Sequence, residues 1–405
     1  MLSEIGNCLP GLLVFILMLG AVGTASAQGD SWKVKIHPER ERVSLDPGRS
    51  YDLIVMVQGD RDPSFEKLLK EVSRPVSATT LEGAWICLLK GYEVAASGPK
   101  LKRLVESPQV RSVWVVAKEF GGRYGTILRG MAYSIENLPP GSGANMSLGP
   151  QVGREGSIFD LEEPVHQLSQ LAAAKGITFV FSAGNQGPED NTLNPWGLAD
   201  WEISVGAASP DGKELWPGSA RGIKGSSRFR PTFVAPGIDL IVTHSESIPK
   251  SAENKAAEER MGFRQRVPKE EWSRKTVASG TSIAAAEASR CVALLLYFLR
   301  EEARIRIEAK AEMVLELGFP KDHALSSERL IGTVRKEKEY LVVSYPLDRP
   351  DPRLIKQILM DIALPMPGYA THEVGAGFVS YEMVLREFGK HGAPETSIMP
   401  VKVAE

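Results

Sequence analysis

The stretch Val277-Ala278-Ser279-Gly280-Thr281-Ser282 decides how the rest of the chain is interpreted. It runs into the uncharged segment 283–286 (I-A-A-A) and then the apolar segment 292–299, a pattern that predicts a loop turning into a buried helix. The first amides of such a helix have no acceptor within it and lie at the positive end of its dipole. A hydroxyl at Ser282 would therefore lie beside donors suited to an oxyanion. In isolation, G-T-S is better explained by Thr281 or Ser282 capping the helix.

Three earlier segments change the balance between those two interpretations. They are 144–149 (A-N-M-S-L-G), 181–188 (F-S-A-G-N-Q-G-P) and 231–237 (P-T-F-V-A-P-G). Followed by G-T-S, they resemble the subtilisin-like serine proteases (subtilases), whose members contain N-M-S-L-G, A-G-N-x-G, V-A-P-G and G-T-S-M-A in the same order. Four motifs in one order are far more specific than one.

The pattern after residue 126 predicts an α/β body. Apolar strands at 144–148, 177–182 and 201–207 alternate with helical segments at 127–136 and 165–175. Continuous apolar strands of this kind are typical of a parallel sheet with helices on both faces, and active sites of such sheets form at the carboxyl ends of strands. The resemblance implies a subtilisin-like fold that lacks its early strands.

A small α+β domain is predicted before the body. Strands at 51–57, 84–89 and 110–116 alternate with helices at 63–72 and 97–106. This part resembles the subtilase propeptide, which implies a domain that assists folding and blocks the active site until it is removed. An unrelated small domain is the alternative.

Composition divides the chain further. Segment 245–274 is rich in Lys, Glu and Arg and shows no apolar face, and segment 301–349 is another charged run with a predicted short strand at 340–344; both are expected to be solvated surface excursions. The predicted parts are a signal peptide at 1–27, a propeptide-like domain at 28–118, a peptidase domain at 119–390 with charged insertions at 245–274 and 301–349, and a tail at 391–405.

The first 27 residues predict secretion. Their apolar centre at 12–19 and the small residues Ala25-Ser26-Ala27 are typical of a signal peptide cleaved after Ala27. The segment before the apolar centre has Glu4 and no Lys or Arg, so an uncleaved membrane anchor is the alternative. We expect no second stretch to cross a bilayer.

Charge and cysteine content exclude several function classes. The net charge of -2 gives no long-range attraction to nucleic acid, and we expect a peptide or protein partner instead. Cys8 lies in the leader, and Cys87 and Cys291 lie among apolar residues, so we expect core thiols and no disulfide. No metal site or cofactor is expected.

The resemblance implies specific roles for five residues. Ser282 would be the nucleophile, and the side-chain amide of Asn185 would complete the oxyanion hole. Ser147, Leu148 and Gly149 would pair with an extended substrate and line its first pocket. Alternatively, Asn185 only tolerates a left-handed turn and 147–149 is an ordinary strand end.

The family's catalytic aspartate and histidine are not found. Subtilases place them in D-T-G or D-S-G and H-G-T-H-V-A-G phrases before N-M-S-L-G, but segment 117–125 (A-K-E-F-G-G-R-Y-G) contains neither residue type. Tyr124-Gly125-Thr126 is a candidate relic of H-G-T. None of the six histidines has the neighbours of a catalytic base, and His244 is the nearest alternative; they are His37, His166, His244, His323, His372 and His391.

Two structural consequences follow from these departures. Where the family has proline, histidine and glycine after the nucleophile, this chain has Ala286, Glu287 and Arg290, and the two charged residues are spaced to pair on one helix face. Loss of the early strands would leave 144–148 at an exposed sheet edge, which the N-terminal domain or a partner chain should cover, or which nothing covers if the polypeptide is a truncated relic.

The sequence therefore predicts a secreted subtilase homologue, a serine endopeptidase by descent with impaired or absent activity. A non-catalytic peptide-binding or regulatory protein is the alternative. A third possibility is a hydrolase completed by another chain that donates the aspartate and histidine.

Overall fold

The structure of the protein is a computed structural model that describes most of the chain. The described residues are 36–37, 50–76, 85–115, 123–150, 159–228, 230–300, 305–310, 333–337, 340–344, 350–388 and 396–398. The predicted signal peptide at 1–27 lies outside them.

The N-terminal unit is a small α+β fold, as predicted. Its sheet has the order β1-β6-β2-β5-β3, with β4 on β5. The strands are β1 (Ile36–His37), β2 (Ser50–Val57), β3 (Arg74–Pro75), β4 (Trp85–Ile86), β5 (Gly91–Ser97) and β6 (Val110–Val115). One face packs against α1 (Pro63–Val72) and α2 (Gly98–Glu106), because both helices turn apolar side chains such as Phe65, Leu69 and Leu101 towards it.

The strand predicted at 84–89 is wrong in extent, and β5 was missed. After Trp85–Ile86 the chain forms a 3-10 turn at Cys87–Leu89, and Lys90 takes a left-handed conformation that reverses its direction. The apolar side chains of Ile86 and Leu89 pack against the body of the protein and not within the N-terminal unit. An apolar run that serves a docking face is indistinguishable in sequence from a buried strand.

The body contains a parallel sheet with helices on both faces, as predicted. The strand order is β10-β9-β8-β7. These strands are β7 (Ser142–Met146), β8 (Ile177–Ser182), β9 (Ile203–Ala208) and β10 (Phe233–Pro236). One face packs against α3 (Arg123–Asn137) and α4 (Pro164–Ala174).

The other face of this sheet packs against a long central helix, α7 (Thr281–Arg300). Helices α8 (Pro352–Asp361) and α10 (Tyr381–Phe388) complete that layer. Between them, α9 (Thr371–Val374) leads into a turn that contains Gly375 and Gly377. Contrary to the sequence expectation, 281–299 is long and apolar enough to span a membrane by composition. Its apolar side chains instead form the middle of the core, as Cys291, Val292 and Leu295 illustrate.

The first charged insertion has more structure than expected. Strands β11 (Leu240–Thr243) and β12 (Lys275–Ala278) form an antiparallel pair, and α5 (Ala252–Arg260) and α6 (Phe263–Arg266) lie between them. The insertion is not without an apolar face, because the buried residues Ala257, Phe263, Val267 and Val277 form their own cluster.

The second insertion contributes to a separate sheet of order β14-β15-β13-β16. Its strands are β13 (Ile305–Lys310), β14 (Thr333–Glu337), β15 (Tyr340–Ser344) and β16 (Thr396–Ile398). The strand predicted at 340–344 is therefore confirmed. The predicted tail is not separate, since β16 pairs in parallel with β13.

Strand β7 is an exposed sheet edge, as predicted. Within the described residues it pairs with β8 alone, and Gly143 and Asn145 are exposed. The expectation that the N-terminal unit covers this edge is wrong for the described part of the chain. That unit packs its sheet against α3 and α4 instead.

Candidate active site

Ser282 is the second residue of α7. Strand β12 ends at Ala278, and the turn at Gly280 is held because its N–H donates to Gly237 O at 2.8 Å while its carbonyl accepts from Ile283 N at 3.1 Å. Ser282 is half-buried. The amides of this first turn have no intrahelical acceptor by position, so a negative charge beside Ser282 would be favoured.

Asn185 reaches this turn from the loop after β8. Its side-chain oxygen accepts from the Thr281 N–H at 3.0 Å and from the Thr281 hydroxyl at 2.7 Å. The Thr281 hydroxyl oxygen in turn accepts from Gly184 N at 3.2 Å. Because the oxygen is occupied in this way, the two N–H donors of the Asn185 amide remain for a ligand.

The alternative interpretation of Asn185 has no support in the backbone. Gly184 has a φ of +107°, whereas the residues other than glycine with positive φ are Lys90, Asn191 and Asp239. The left-handed position in this loop is thus filled by glycine, and Asn185 is not required for it.

Ser147 joins the end of β7 to the helix turn. Its hydroxyl donates to Ser282 O at 2.8 Å, and the Ser282 hydroxyl donates to Ser147 O at 3.4 Å. Leu148 is 36% exposed at the mouth of the site. The three groups Ser147, Asn185 and Ser282, predicted separately from sequence, are therefore brought together.

Asn194 is a structural residue of the site that the sequence analysis missed. Its side-chain N–H groups donate to Leu148 O at 3.1 Å and Ser182 O at 2.8 Å, and its oxygen accepts from Trp196 N at 3.1 Å. A Cβ on Gly149 would lie 2.4 Å from the Asn194 Cγ, so this glycine is needed for packing whatever binds nearby. The Asn194-Pro195 pair, typical of a helix start, was the available signal.

Two described histidines have partners remote from catalysis. His166 is fully buried, with Nδ1 2.9 Å from Glu202 Oε1. Burial lowers the pKa of His166, but the Glu202 carboxylate outweighs it and the pKa lies above its usual value. The His372 Nε2 lies 3.2 Å from Asp190.

His244 lies at the far end of the β11–β12 pair. Leu240 pairs with Ala278, at the end of the pair that is near Ser282. From Leu240 to His244 the chain runs away from Ser282 over four residues, about 13 Å at the usual strand rise. Its Nε2 contacts Ile248 O at 2.7 Å. His37 lies in β1, and His323 and His391 lie outside the described residues. His166, His244 and His372 thus bond groups other than Ser282.

Tyr124 does not replace the family histidine. It lies in α3, where its hydroxyl donates to Glu163 at 3.1 Å beneath the N-terminal unit. The predicted Glu287–Arg290 pair does form, at 3.5 Å, and the Arg290 guanidinium also stacks over the Tyr381 ring.

Cys291 is buried, as expected of a core thiol, whereas Cys87 is only half-buried and the expectation is wrong for it. Burial raises the pKa of the Cys291 thiol to about 12, and Cys87 begins the docking turn of the N-terminal unit. In the part of the chain that the structure describes, no three His, Cys, Asp or Glu side chains are grouped to hold a metal ion.

The chain is similar to known serine proteases. Residues 124–311 match the model of the Subtilase family. Serine protease AprX of Bacillus subtilis (strain 168) is 29% identical over 168 residues, which are 38% of this chain and 38% of that protein. The chain thus matches about two fifths of the length of this curated relative.

Solved structures show a more distant similarity. The prenylagaramide maturation protease PagA has a TM-score of 0.37 at 15% identity, with 65% of this chain and 66% of that chain covered. A lanthipeptide protease has a TM-score of 0.40 at 16% identity, with 67% and 68% covered. Sphericase has a TM-score of 0.37 at 14% identity, with 63% of each chain covered.

Proposed function

We propose, from the match of residues 124–311 to the Subtilase family, that the chain is a secreted endopeptidase homologue with impaired hydrolysis. It would bind an extended peptide along Ser147, Leu148 and Gly149, beside Ser282. The observation that supports this most strongly is the bonding of Asn185 to Thr281, which leaves amide donors next to the hydroxyl.

The proposed chemistry begins at Ser282. Attack of its hydroxyl oxygen on a peptide carbonyl carbon would form a tetrahedral intermediate, and the Asn185 side-chain amide and the Ser282 N–H would stabilise its oxyanion. The Thr281 and Ile283 N–H groups already donate to Asn185 and Gly280. The Asn185 amide is fixed before substrate arrives, because Thr281 and Gly184 already orient the Asn185 side chain. This half of the machinery supports binding and stabilisation of an oxyanion.

The impairment follows from proton transfer. His166, His244 and His372 bond groups other than Ser282, and segment 117–125 contains neither Asp nor His. A serine protease that loses its triad retains a rate enhancement of roughly 1000-fold over water and loses about a million-fold. Restoring 1000-fold of that loss would require about 4 kcal/mol of transition-state stabilisation. Binding is therefore the better preserved function.

The N-terminal unit would act as a propeptide-like inhibitor domain. Its Ile54, Met56 and Trp114 share one core with α3 and α4 of the body. Across this contact the nearly fully buried Glu93 carboxylate accepts from Arg129. A shared core of this size supports a unit that assists folding of the body.

Secretion remains part of the proposal on the strength of the leader at 1–27, with the uncleaved anchor as the alternative. A second candidate function is a non-catalytic protein that holds a peptide or partner strand. The exposed edge of β7 favours it, because an open strand edge accepts an added strand through main-chain hydrogen bonds. In a third arrangement, a partner at this edge would supply the missing aspartate and histidine.

Fluorophosphonate labelling tests the proposal. The full-length protein and its Ser282→Ala variant would be treated with the probe, with Ser289→Ala as the control for a neighbouring hydroxyl on the same helix. Impaired hydrolysis predicts equally slow labelling of all three. Rapid labelling that depends on Ser282 would show an activated nucleophile and contradict the impairment.

A further inference from the structure

A cavity of about 550 Å³ lies at the amino ends of β9 and β10, whereas Asn185 follows the carboxyl end of β8. The cavity is thus separate from the candidate active site. Its charged lining consists of Arg228, Arg230, Arg353, Lys356 and Asp200. We call it the basic cavity.

Two of its four cations are already neutralised by carboxylates. Arg353 makes several bonds with Asp351, including one from Nη2 at 2.5 Å, and these raise the pKa of Arg353. Arg228 lies 3.9 Å from Asp200, at the limit of an ion pair. These two arginines have their counter-charges within the protein.

Arg230 and Lys356 differ from them. In the described part of the chain, neither has a carboxylate within 4.0 Å, the limit of a salt bridge. The Lys356 ammonium donates to Ala199 O at 3.3 Å and has two further protons. The two cations therefore face a concave space without a matched counter-ion.

Lys356 is half-buried in the cavity wall, which distinguishes this cavity from a patch of fully exposed lysines. Burial is the main reason that the pKa of Lys356 is lowered to about 8; Asp200 and Glu202 raise it, and Arg230 and Arg228 lower it. A charged ammonium in this position gains from any anion that replaces the lost hydration.

We propose that the basic cavity binds a compact dianion, a phosphate group or a small dicarboxylate, through Arg230 and Lys356. A guanidinium presents two parallel N–H groups that match two oxygens of such an anion, and the ammonium adds a third contact. The volume lies within the usual range of small-molecule sites. Leu198 and Met360 provide an apolar wall for a short carbon portion.

Calorimetric titration of the full-length protein with inorganic phosphate, and separately with succinate, tests this site. The variants are Arg230→Gln, in a half-exposed loop position, and Lys356→Met, which keeps the length of the buried stem. Lys213→Gln is the matched control, because it removes one positive charge from a strongly exposed residue. Circular dichroism would show that each variant folds.

Saturable binding is expected for the wild type and Lys213→Gln, with affinity reduced roughly tenfold or more in Arg230→Gln and Lys356→Met, since each loses a charge-assisted bond. Near pH 8 the wild type should also take up protons on binding, because the anion favours the charged form of Lys356, and Lys356→Met should not. Whichever of phosphate and succinate binds more tightly would identify the class of anion that the basic cavity prefers. Absence of saturable binding, or equal affinity in all variants, would overturn the proposal.

Discussion

The two sides of Ser282 differ in how completely they are built. On one side, Asn185, Thr281 and Gly184 form a closed set of hydrogen bonds, and Asn194 ties the ends of β7 and β8 together. On the other side lies the exposed edge of β7, where the polar side chains contact only each other and nearby helix residues. We call these the oxyanion side and the open side.

The difference shows that the two halves of a serine protease site depend on different parts of the chain. The oxyanion side is built by loops that hydrogen-bond to one another and to the start of α7, so it needs nothing from the segment before α3. On the proposed function, a proton acceptor would have to reach Ser282 from the open side, beyond the β7 edge. The hydrogen bonds of the oxyanion side do not depend on such a residue.

Substitution of Asn194 by alanine should have the largest effect. It would leave Leu148 O, Ser182 O and the Trp196 N–H without their side-chain partner in a buried place, at a cost of about 3 kcal/mol in the free energy of unfolding. Urea unfolding of the full-length protein measures it. A loss of unfolding free energy no larger than that from replacing an exposed asparagine by alanine would contradict the assignment of Asn194 to the oxyanion side.

Thr281→Val should lower the free energy of unfolding by about 2 kcal/mol, less than Asn194→Ala. The isosteric change removes one buried hydroxyl that forms hydrogen bonds with Asn185 and Gly184. Thr281→Ser is the control, since it keeps the hydroxyl and should cost at most about 1 kcal/mol for the methyl group. Equal losses in the two variants would mean that packing, and not the hydroxyl, holds this turn.

The free energy of unfolding should also depend on pH, because titratable groups are buried behind the oxyanion side. The Trp196 indole donates to Glu163, and burial raises the pKa of Glu163 above its ordinary 4.5. Because the folded state then holds a proton that the unfolded chain releases, stability should fall as pH rises from 4.5 through the folded pKa. His166, whose pKa is raised above 6.5, acts in the same direction at higher pH.

The test is a series of urea titrations across this pH range with Glu163→Gln beside the wild type. The variant should show a flatter dependence above pH 4.5, since it removes one contributing group and leaves His166 and Asp361, whose pKa burial raises to about 6. A wild type that gains stability over this range would contradict the sign.

Asn145→Ala on the open side should have the smallest effect. Asn145 is exposed and bonds only Ser147 and Ser289, so its loss should change the free energy of unfolding by less than about 0.5 kcal/mol. A loss comparable to that of Asn194→Ala would erase the difference between the two sides.

Local pattern was enough to predict much of the fold. The strand at 177–182 and the helix at 63–72 have the bounds that their apolar spacing indicated. The run at 84–89 misled because its side chains serve the contact between the N-terminal unit and the body, which periodicity does not report. The apolar cluster that contains Phe263 and Val267 was overlooked because its few apolar residues are scattered among many charged residues in the sequence.

The candidate site was predictable where one motif contained the chemistry, as at Ser282 and Asn185. Contacts between distant segments were not. The pairing of His166 with Glu202 and the grouping of Arg230 with Lys356 depend on residues far apart in sequence. No local spacing indicates either, because the sheet and α8 alone bring them together.

The pH dependence of Ser282-dependent ester hydrolysis tests the central claim most directly. The rate of the wild type minus that of Ser282→Ala would be followed with an activated ester between about pH 5 and pH 9. Without an imidazole base, any such rate should rise steadily with hydroxide and show no plateau. A sigmoidal profile with an apparent pKa near that of histidine, about 6.5, would show that a base acts on Ser282 and would contradict the account.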